Sequence, residues 1–369
     1  MAPKKSTCNL CGRTSYLVSQ ALQICGNCIR THPEKALPYA RKIHIESKAA
    51  LGLPFEPPRD PMGVECGICA HKCRIPPGEK GYCGLRENKE GELVHLAGTP
   101  DKGIVHCYYD PLPTNCVAME FCAGGVGSQR FSHSNEGPEY GYKNLAVFYG
   151  ACSYDCLFCQ NYQFREQTMH LKPTMSAREL AECVDRTTSC ICFFGGDPSP
   201  QMPHAVAASR IAIEENKGIL RICWETNGNM SSGFLKQAAE LSMSSGGTIK
   251  FDIKAWDENL NIALCGVSNK PTLKNFEWLA EYGKQCREYS FLIASTLLVP
   301  GYVDAVEVGN IARFISDLDE EIPYNLLAFY PQFFMNDMPT TPILHAQECM
   351  KAAQAYLKNV RIGNVHLLA

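Results

Sequence analysis

The pattern of apolar and polar positions changes at about residue 143. Beyond it, short runs rich in β-branched and aromatic residues alternate with segments of helical periodicity, which is typical of repeated βα units. Such units predict a parallel sheet with helical cover, because parallel strands need long crossover connections. The predicted strands cover residues 143–149, 190–194, 219–224, 248–254, 291–299, 325–330 and 360–365.

This repeating region predicts an α/β fold. Six or seven βα units favour a partial (β/α) barrel over residues 143–369, and a doubly wound open sheet is the alternative. One connecting helix is predicted over residues 176–186, where Ser176 and Glu179 have the spacing of a capping box. The chain of 369 residues has room for this domain and one or two small modules.

The region before residue 143 is organised differently. Residues 36–60 predict a helix followed by a linker, because densely spaced prolines end a helix and favour extended backbone. Residues 61–142 are rich in cysteine, glycine and proline and show little periodicity, and they are predicted to form a second metal-binding module. We therefore expect a small Cys-rich metal-binding N-terminal region in front of the barrel.

Composition narrows the class of protein. A hydrophobic content of 45% and a charged content of 20% are typical of globular proteins. No apolar run approaches the ~18 residues of a membrane span, and the N-terminus lacks the apolar core of a signal peptide. We expect a cytoplasmic protein without a membrane partner. The net charge of −3 gives no general reason to expect nucleic acid, and the basic residues of 1–50 are interpreted as a solvated surface.

The 21 cysteines are the unusual feature of this composition. In a reducing cytoplasm they are not expected to form disulfides, and their clustering indicates metals. Cys8, Cys11, Cys25 and Cys28 form two CxxC pairs, a spacing typical of a closed tetrahedral zinc site. The sequence therefore predicts a structural zinc ribbon over residues 1–35, held together by its metal.

A second group consists of Cys66, Cys69, Cys73 and Cys83. We predict zinc or iron there, because both a zinc ion and an iron–sulfur cluster take four cysteines. His71, between them, is interpreted as polar surface rather than as a ligand. Cys107, Cys116 and Cys122 have no tight spacing and are interpreted as buried or free thiols, with metal ligation as the alternative. The cysteines inside predicted strands or helices are interpreted as core residues: Cys183, Cys190, Cys192, Cys223, Cys265, Cys286 and Cys349.

A third group, Cys152, Cys156 and Cys159, follows directly on the predicted strand 143–149. It therefore lies at the carboxyl end of that strand, the face where barrel enzymes carry their chemistry. Three thiolates can hold three irons of a 4Fe–4S cluster and leave the fourth iron open to a substrate or cofactor. The alternative is a zinc site with a distant fourth ligand.

The spacing Cys-x3-Cys-x-Phe-Cys, with Phe158 before the last cysteine, resembles the signature of the radical S-adenosylmethionine (radical SAM) enzymes. It is similar in particular to the pyruvate formate-lyase activating enzyme branch. From about residue 64, the stretch CGICAHKCRIPPGEKGYCGLREN, then Asp110-Pro111 and the three-cysteine loop, resembles the AMMECR1/Memo-associated radical SAM proteins. The resemblance implies a partial β/α barrel and a 4Fe–4S cluster whose open iron binds the amino and carboxylate groups of SAM.

The resemblance also implies a SAM pocket built from the ends of successive strands. Alternation places Asp252 and Lys254 on one face of their strand, where two charges need a ligand or each other; the alternative is an ion pair on a solvated face. The resemblance assigns the SAM amino group to the GGDP motif, residues 195–198. It assigns further SAM contacts to the ETNG motif, residues 225–228, and to the DIK motif, residues 252–254. The implied cofactor-binding residues are Phe158, Gly195, Gly196, Asp197, Glu225, Thr226, Asn227, Asp252 and Lys254.

These observations predict a radical SAM enzyme. It would cleave SAM reductively at the cluster to a 5′-deoxyadenosyl radical and abstract hydrogen from a C–H bond of a protein or peptide, as an activase or a post-translational modifier. A flavodoxin- or ferredoxin-like donor would supply the electron under anaerobic conditions. One alternative is a cobalamin-dependent radical SAM C-methyltransferase acting on a protein residue. The other is a non-catalytic iron–sulfur and zinc scaffold.

Overall fold

The computed structural model describes residues 4–216 and 218–369, so the first three residues of the predicted zinc ribbon lie outside the described residues. The strands are β1 (Ser6–Thr7), β2 (Thr14–Ser15), β3 (Val64–Glu65), β4 (Arg74–Ile75), β5 (Arg86–Lys89), β6 (Glu92–His95), β7 (Gly103–Pro111), β8 (Lys143–Tyr149), β9 (Thr174–Met175), β10 (Thr188–Gly195), β11 (Arg221–Thr226), β12 (Ile249–Asp252), β13 (Leu292–Leu298), β14 (Tyr324–Ala328) and β15 (Val360–Gly363).

The α-helices lie mostly between the strands of the second half of the chain. They are α1 (Gly26–Thr31), α2 (Pro33–Ala49), α3 (Ala123–Val126), α4 (Phe164–His170), α5 (Ala177–Glu182), α6 (Met202–Glu215), α7 (Ser232–Ser245), α8 (Glu258–Cys265), α9 (Lys270–Gly283), α10 (Ala305–Leu318) and α11 (Ile343–Gln354). Short 3-10 turns occur at Ser199–Gln201, Phe333–Met335 and Val365–Leu367.

The central sheet has nine strands in the order β15-β14-β13-β12-β11-β10-β8-β7-β9. Strand β8 and strands β10 to β15 are parallel, whereas β7 pairs antiparallel with β8 and with β9. The two edge strands, β15 and β9, do not pair with each other, so the sheet does not close into a full barrel. Residues at the carboxyl ends of β10 to β14 line one pocket, so the sheet curves as in a partial barrel. The predicted α/β class with a central parallel sheet is confirmed. Strand β7, from the predicted second metal module, joins this sheet.

Each of the seven predicted strands is present, and β8 has the predicted bounds. The capping box also forms: Glu179 N donates to Ser176 Oγ at 3.2 Å, and Ser176 N donates to Glu179 Oε2 at 2.7 Å. Helix α5 ends before the predicted residue 186, because Asp185 accepts from Thr187 N at 2.9 Å in the turn that leads into β10.

The N-terminal region packs directly on the barrel. The hydroxyl of Tyr302, in the loop after β13, accepts from Ser19 N at 2.9 Å and donates to Ile24 O at 2.9 Å. Arg30 and Asp304 form an ion pair at 2.8 Å. The buried apolar side chains between positions 8 and 40 belong to the same hydrophobic core as those of the barrel. In the described part of the chain, no helix is both long and apolar enough to span a bilayer.

Residues 112–142, which connect β7 to β8, form what we call the plug segment. Asn325, near the start of β14, donates from Nδ2 to Val117 O at 3.0 Å. Arg221, the first residue of β11, forms an ion pair with Glu139 at 2.7 Å, and both side chains are almost fully buried. These strand residues are at amino ends, so the plug segment covers the end of the barrel opposite the predicted SAM pocket.

Candidate functional site

The loop that carries Cys152, Cys156 and Cys159 follows β8 and is held by backbone hydrogen bonds. Asp155 N donates to Cys265 O and Leu157 N donates to Leu264 O, both at 2.9 Å. These carbonyls belong to the last turn of α8, where a helix leaves its carbonyl groups without partners within the helix. The end of α8 therefore fixes the course of the loop between the predicted cluster cysteines.

A single pocket contains every residue predicted for the cluster and for SAM. It lies at the carboxyl ends of the parallel strands, the expected face of a barrel. Their proximity is a property of the structure, whereas their roles remain predictions. The predicted residues that line the pocket are Cys152, Cys156, Phe158, Cys159, Gly195, Gly196, Asp197, Glu225, Thr226, Asn227, Asp252 and Lys254.

Asp197 uses both carboxylate oxygens within the protein. Its Oδ1 accepts from Thr226 Oγ1 at 2.7 Å and from Asn227 N at 2.9 Å, and its Oδ2 accepts from Ser199 N at 2.8 Å. The residue is 3% exposed, and burial raises its pKa. Asp197 thus ties the end of β10 to the end of β11. Both oxygens of the Asp197 carboxylate already accept hydrogen bonds from the protein. The acceptors that residues 195–198 offer to a ligand are therefore their backbone carbonyls.

Gly195 and Gly196 allow this segment to approach the strand end closely. Gly195 has a φ of +105°, which side chains rarely tolerate. A Cβ on Gly196 would lie 2.3 Å from Ala151 O. The same close approach lets Gly196 N donate to Tyr149 O at 2.9 Å. Both glycines are therefore required by the backbone that shapes this wall of the pocket.

Asn227 connects β11 to the cysteine loop. Its Nδ2 donates to Ser153 Oγ at 3.0 Å and lies 3.6 Å from Cys152 Sγ. Tyr154 N lies 3.3 Å from the same sulfur. Two N–H donors thus point at Cys152, an arrangement that stabilises a thiolate. The donor set fits a sulfur that carries negative charge when it binds iron.

Asp252 and Lys254 form an ion pair at 2.7 Å, and both also line the pocket. Ser295 Oγ donates to Asp252 Oδ1. Burial lowers the pKa of Lys254, but Asp252 together with the nearby Cys156 and Cys265 raises it by more, so the ammonium stays charged. The two residues therefore contact each other while presenting both charges to the pocket.

Asp155, inside the three-cysteine loop, belongs to a buried network that the sequence did not indicate. Its side chain is 0% exposed; it accepts from His44 Nδ1 and Ser47 Oγ at 2.9 Å, and from Arg165 Nη1 at 2.6 Å. His44 and Ser47 lie on α2 and Arg165 lies on α4. Despite burial, these partners keep the pKa of Asp155 well below its usual value. Helix α2 thus anchors the loop.

Burial also affects the thiols themselves. It raises the pKa of Cys152, and it raises the pKa of Cys159 to about 12. For Cys156 the main cause of its raised pKa is a hydrogen bond with Cys265, which the sequence analysis treated as a core residue. Because metals bind thiolates, cluster assembly at this loop must release protons.

The N-terminal cysteines form a tighter group. The Sγ atoms of Cys8, Cys11, Cys25 and Cys28 all lie within 4.8 Å of one another, and the Cys11 and Cys25 sulfurs are 3.8 Å apart. A tetrahedron with Zn–S bonds of about 2.3 Å has edges of about 3.8 Å. The thiols fit a single zinc ion.

The second group is less compact. Within residues 4–216 and 218–369, the Sγ atoms of Cys66, Cys69, Cys73 and Cys83 do not form a set of three or more that all lie within 4.8 Å of one another. The interpretation of His71 as polar surface is wrong. The His71 side chain is buried, and its Nε2 atom lies 2.6 Å from the backbone carbonyl oxygen of Ser153 in the three-cysteine loop. His71 thus stabilises the position of this loop.

Comparison with known proteins adds to this geometry. Residues 146–314 match the family described as the Radical SAM superfamily. The chain therefore contains a radical SAM domain. The match includes the three-cysteine loop and the strand ends that carry the GGDP, ETNG and DIK motifs.

Two relatives come from Methanocaldococcus jannaschii. The uncharacterized protein MJ0808 is 27% identical over 314 residues, which cover 83% of each chain. The protein MJ1632, provisionally named a glycyl-radical enzyme activating enzyme, is 34% identical over 116 residues, or 30% of this chain and 42% of that protein. The first relative thus shares most of the chain, including much of the region before the barrel.

Solved structures also resemble the radical SAM domain. A radical SAM methyltransferase from Sphaerobacter thermophilus aligns with 61% of this chain and 67% of its own, with 17% identity and a TM-score of 0.46. SuiB of Streptococcus suis bound to its precursor peptide SuiA aligns with 58% of this chain and 47% of its own, with 14% identity and a TM-score of 0.45. Neither likeness bears on the substrate of this chain.

Proposed function

We propose that this protein is a radical SAM enzyme that cleaves SAM and abstracts hydrogen from a C–H bond of a protein or peptide. The observation that carries the proposal is the pocket itself. Three cysteines with the radical SAM spacing share it with the ends of three neighbouring strands, and these ends present carboxylates, an ammonium and close-packed glycine backbone. The match of residues 146–314 to the Radical SAM superfamily supports it.

Cys152, Cys156 and Cys159 would hold a 4Fe–4S cluster by three of its irons. When bound and reduced, this cluster supplies the electron that splits SAM into methionine and a 5′-deoxyadenosyl radical. The chain contributes N–H donors near Cys152 and a loop fixed by α2 and α8. These contacts would favour the thiolate and limit its movement.

The neighbouring strand ends would hold SAM. We assign the SAM amino group to the backbone carbonyls of Gly195 and Gly196, with Asp197 as a positioning residue, because the Asp197 carboxylate is occupied by Thr226, Asn227 and Ser199. The pocket also presents Glu225, which is partly exposed, and the charged pair of Asp252 and Lys254. These polar groups would orient SAM while Phe158 and Leu327 exclude water.

A macromolecular substrate is the finer part of the proposal. It is supported by the name of the relative MJ1632, since a glycyl-radical enzyme activating enzyme acts on another protein. The four N-terminal thiols, spaced for one zinc ion, would hold the N-terminal module together. This module contacts the barrel at the loop after β13. A flavodoxin- or ferredoxin-like donor is proposed for the electron.

The test is the anaerobic production of 5′-deoxyadenosine from SAM by reduced, iron-reconstituted protein, with deuterium tracing for the substrate. Cells grown in deuterated medium are separated into a macromolecular and a small-molecule fraction. Deuterium entering 5′-deoxyadenosine from the macromolecular fraction alone supports the proposal. Deuterium entering only from the small-molecule fraction contradicts a protein or peptide substrate. Absence of 5′-deoxyadenosine contradicts SAM cleavage and favours the non-catalytic scaffold.

The cobalamin-dependent methyltransferase remains a separate prediction. It requires uptake of cobalamin, which the absorption spectrum of the reconstituted protein reports. Methyl transfer from labelled SAM to a protein acceptor is its second requirement. Protein that cleaves SAM but takes up no cobalamin contradicts that alternative and leaves the proposal above intact.

A further inference from the structure

Five cysteines meet inside the barrel, outside the pocket described above. Cys190 and Cys192 lie on β10 and alternate with the fully buried Ile191. Cys223 lies on β11 and is the direct neighbour of Cys192 in the parallel register. The plug segment adds two half-buried thiols. Cys116 shares the ammonium of Lys250 with Cys192, and Cys122 lies near enough to Cys116 and Cys223 for charges on them to interact. Three separate elements thus bring sulfur to one interior region.

A buried ammonium lies among these sulfurs. The Nζ atom of Lys250, on β12, is 2.9 Å from Cys192 Sγ and 3.1 Å from Cys116 Sγ, and its side chain is 1% exposed. A thiol is a weak acceptor, whereas a thiolate is a strong partner for an ammonium. Ala118 N also approaches Cys116 Sγ, at 3.4 Å. The donors around these two sulfurs are those that a thiolate needs.

Charge balance then calls for a further cation. Two thiolates and Glu225, at 3.4 Å from Lys250, would exceed the single charge of the ammonium. Arg221 cannot supply the difference, because it is paired with Glu139 at 2.7 Å. A metal centre would supply this positive charge and would bind the cysteines that face the ammonium as thiolates.

The ligand set follows from the remaining contacts. Cys190 is excluded from the ligand set because its S–H group donates to Asn144 Oδ1 at 3.3 Å. A cysteine that binds metal would have lost this proton. Among residues 4–216 and 218–369, only the N-terminal thiols form a set of three or more within 4.8 Å. The interior thiols are therefore spaced more widely than a single ion requires, which suits the larger cage of an iron–sulfur cluster. We propose that Cys116, Cys122, Cys192 and Cys223 hold a second iron–sulfur cluster inside the barrel.

This site adjoins the SAM pocket without sharing its cysteines. Glu225 lines the pocket and its Oε2 lies 3.4 Å from Lys250 Nζ, so one carboxylate separates the two. The plug segment closes the other side. The second cluster would lie between the plug segment and the pocket, with Lys250 donating hydrogen bonds to two of its thiolates. Its presence does not depend on SAM cleavage.

The test uses the full-length chain with Cys152, Cys156 and Cys159 all changed to Ala, which removes the proposed SAM cluster. Iron, sulfide, zinc and the Mössbauer spectrum are measured after anaerobic reconstitution. We expect this variant to retain an iron–sulfur cluster. Adding Cys192→Ser should lower the iron of this cluster about tenfold, because one of four thiolates is lost. Any iron held by Cys66, Cys69, Cys73 and Cys83 should stay constant. Adding the matched change Cys190→Ser, on the same strand, should leave the iron unchanged.

Iron that is absent from the triple variant, or an iron content that Cys192→Ser does not lower, overturns the proposal. A constant amount of iron that remains after Cys192→Ser would belong to another group, such as Cys66 to Cys83. Zinc in place of iron, lost with Cys192→Ser, also overturns the cluster assignment. Circular dichroism and the melting temperature show that each variant is folded. Where Cys192→Ser does not fold, Cys116→Ser in the half-buried plug position tests the same ligand set.

Discussion

The N-terminal cysteines and the cysteines of the loop after β8 place their sulfurs in different surroundings. In the first group, Cys8, Cys11, Cys25 and Cys28 face one another within 4.8 Å. In the second, Cys152, Cys156 and Cys159 face a pocket that they share with charged and glycine-rich strand ends. The first arrangement is complete in itself, and the second has space on one side. A closed set of thiols suits a structural ion, whereas an open set suits a reactive one.

The supports of the two groups differ in the same way. The N-terminal thiols sit on short hairpins and at the start of α1, and few regular elements hold them together. The loop after β8 is fixed by α8, by Asn227 and by the Asp155 network. Metal binding would therefore fix the positions of the N-terminal thiols, whereas contacts within the protein fix the loop after β8 without a metal.

Cys156→Ala should reduce 5′-deoxyadenosine formation to background, because only two thiolates remain for the cluster. Zinc content should not change, since the N-terminal thiols are untouched. Product is measured by chromatography and metals by mass spectrometry. The control Cys183→Ala, at a half-buried thiol outside the pocket, should retain activity. Substantial activity in Cys156→Ala would contradict the assignment.

Cys25→Ser should release the zinc and unfold the N-terminal module. The expected loss in the free energy of unfolding is on the order of 5 kcal/mol or more, since structural zinc binds zinc-finger peptides with about 10–16 kcal/mol. Zinc content and urea denaturation report the effect. The control Cys286→Ser, at another half-buried thiol, should keep both values. Full stability after zinc loss would show that the protein, and not the metal, organises this group.

Asp155→Asn should lower the free energy of unfolding by about 3–5 kcal/mol, because Arg165 would be left as a buried charge without its carboxylate. The iron content after reconstitution should fall with it, since the loop loses its anchor to α2. The control Glu215→Gln removes an exposed ion pair with Arg178 and should leave the free energy of unfolding nearly unchanged, because solvent screens this pair. An unchanged stability in Asp155→Asn would show that α2 does not hold the loop.

Tyr302→Phe should cost about 1–2 kcal/mol, because Ser19 N and Ile24 O lose their shared hydroxyl partner. In the Cys25→Ser background the same change should cost nothing, since the module has already detached. The double-mutant cycle by denaturation measures this coupling. Tyr356→Phe, at an exposed tyrosine, is the neutral control. Additive costs would mean that the module stays docked without zinc.

Much of the fold could be predicted because local patterns determine it. Strand β8 and the Ser176–Glu179 capping box depend on residues adjacent in the chain, and both formed as expected. The pocket could be predicted for a related reason: parallel strands bring their carboxyl ends to one face. Motifs far apart in the chain therefore meet when each follows its own strand.

Other features depend on contacts that no local pattern encodes. His44 reaches Asp155 across 111 residues, and Lys250 reaches Cys116 across 134. The interior cysteines can be recognised in the sequence, but their contact with the plug segment cannot, because the bond from Lys250 to Cys116 joins residues more than a hundred positions apart. The occupied carboxylate of Asp197 escaped prediction too, because it depends on the side chain of Thr226 and the backbone at Ser199.

The Asp155 network has a practical consequence for anyone who wishes to study the catalytic part by itself. The family match covers residues 146–314, yet the loop with the three cysteines is held by His44 and Ser47 of α2. A shortened chain that starts at residue 143 would expose Asp155 and Arg165 to solvent and free the loop between the thiols. The smallest active unit should therefore begin before α2, about a hundred residues upstream of the matched domain.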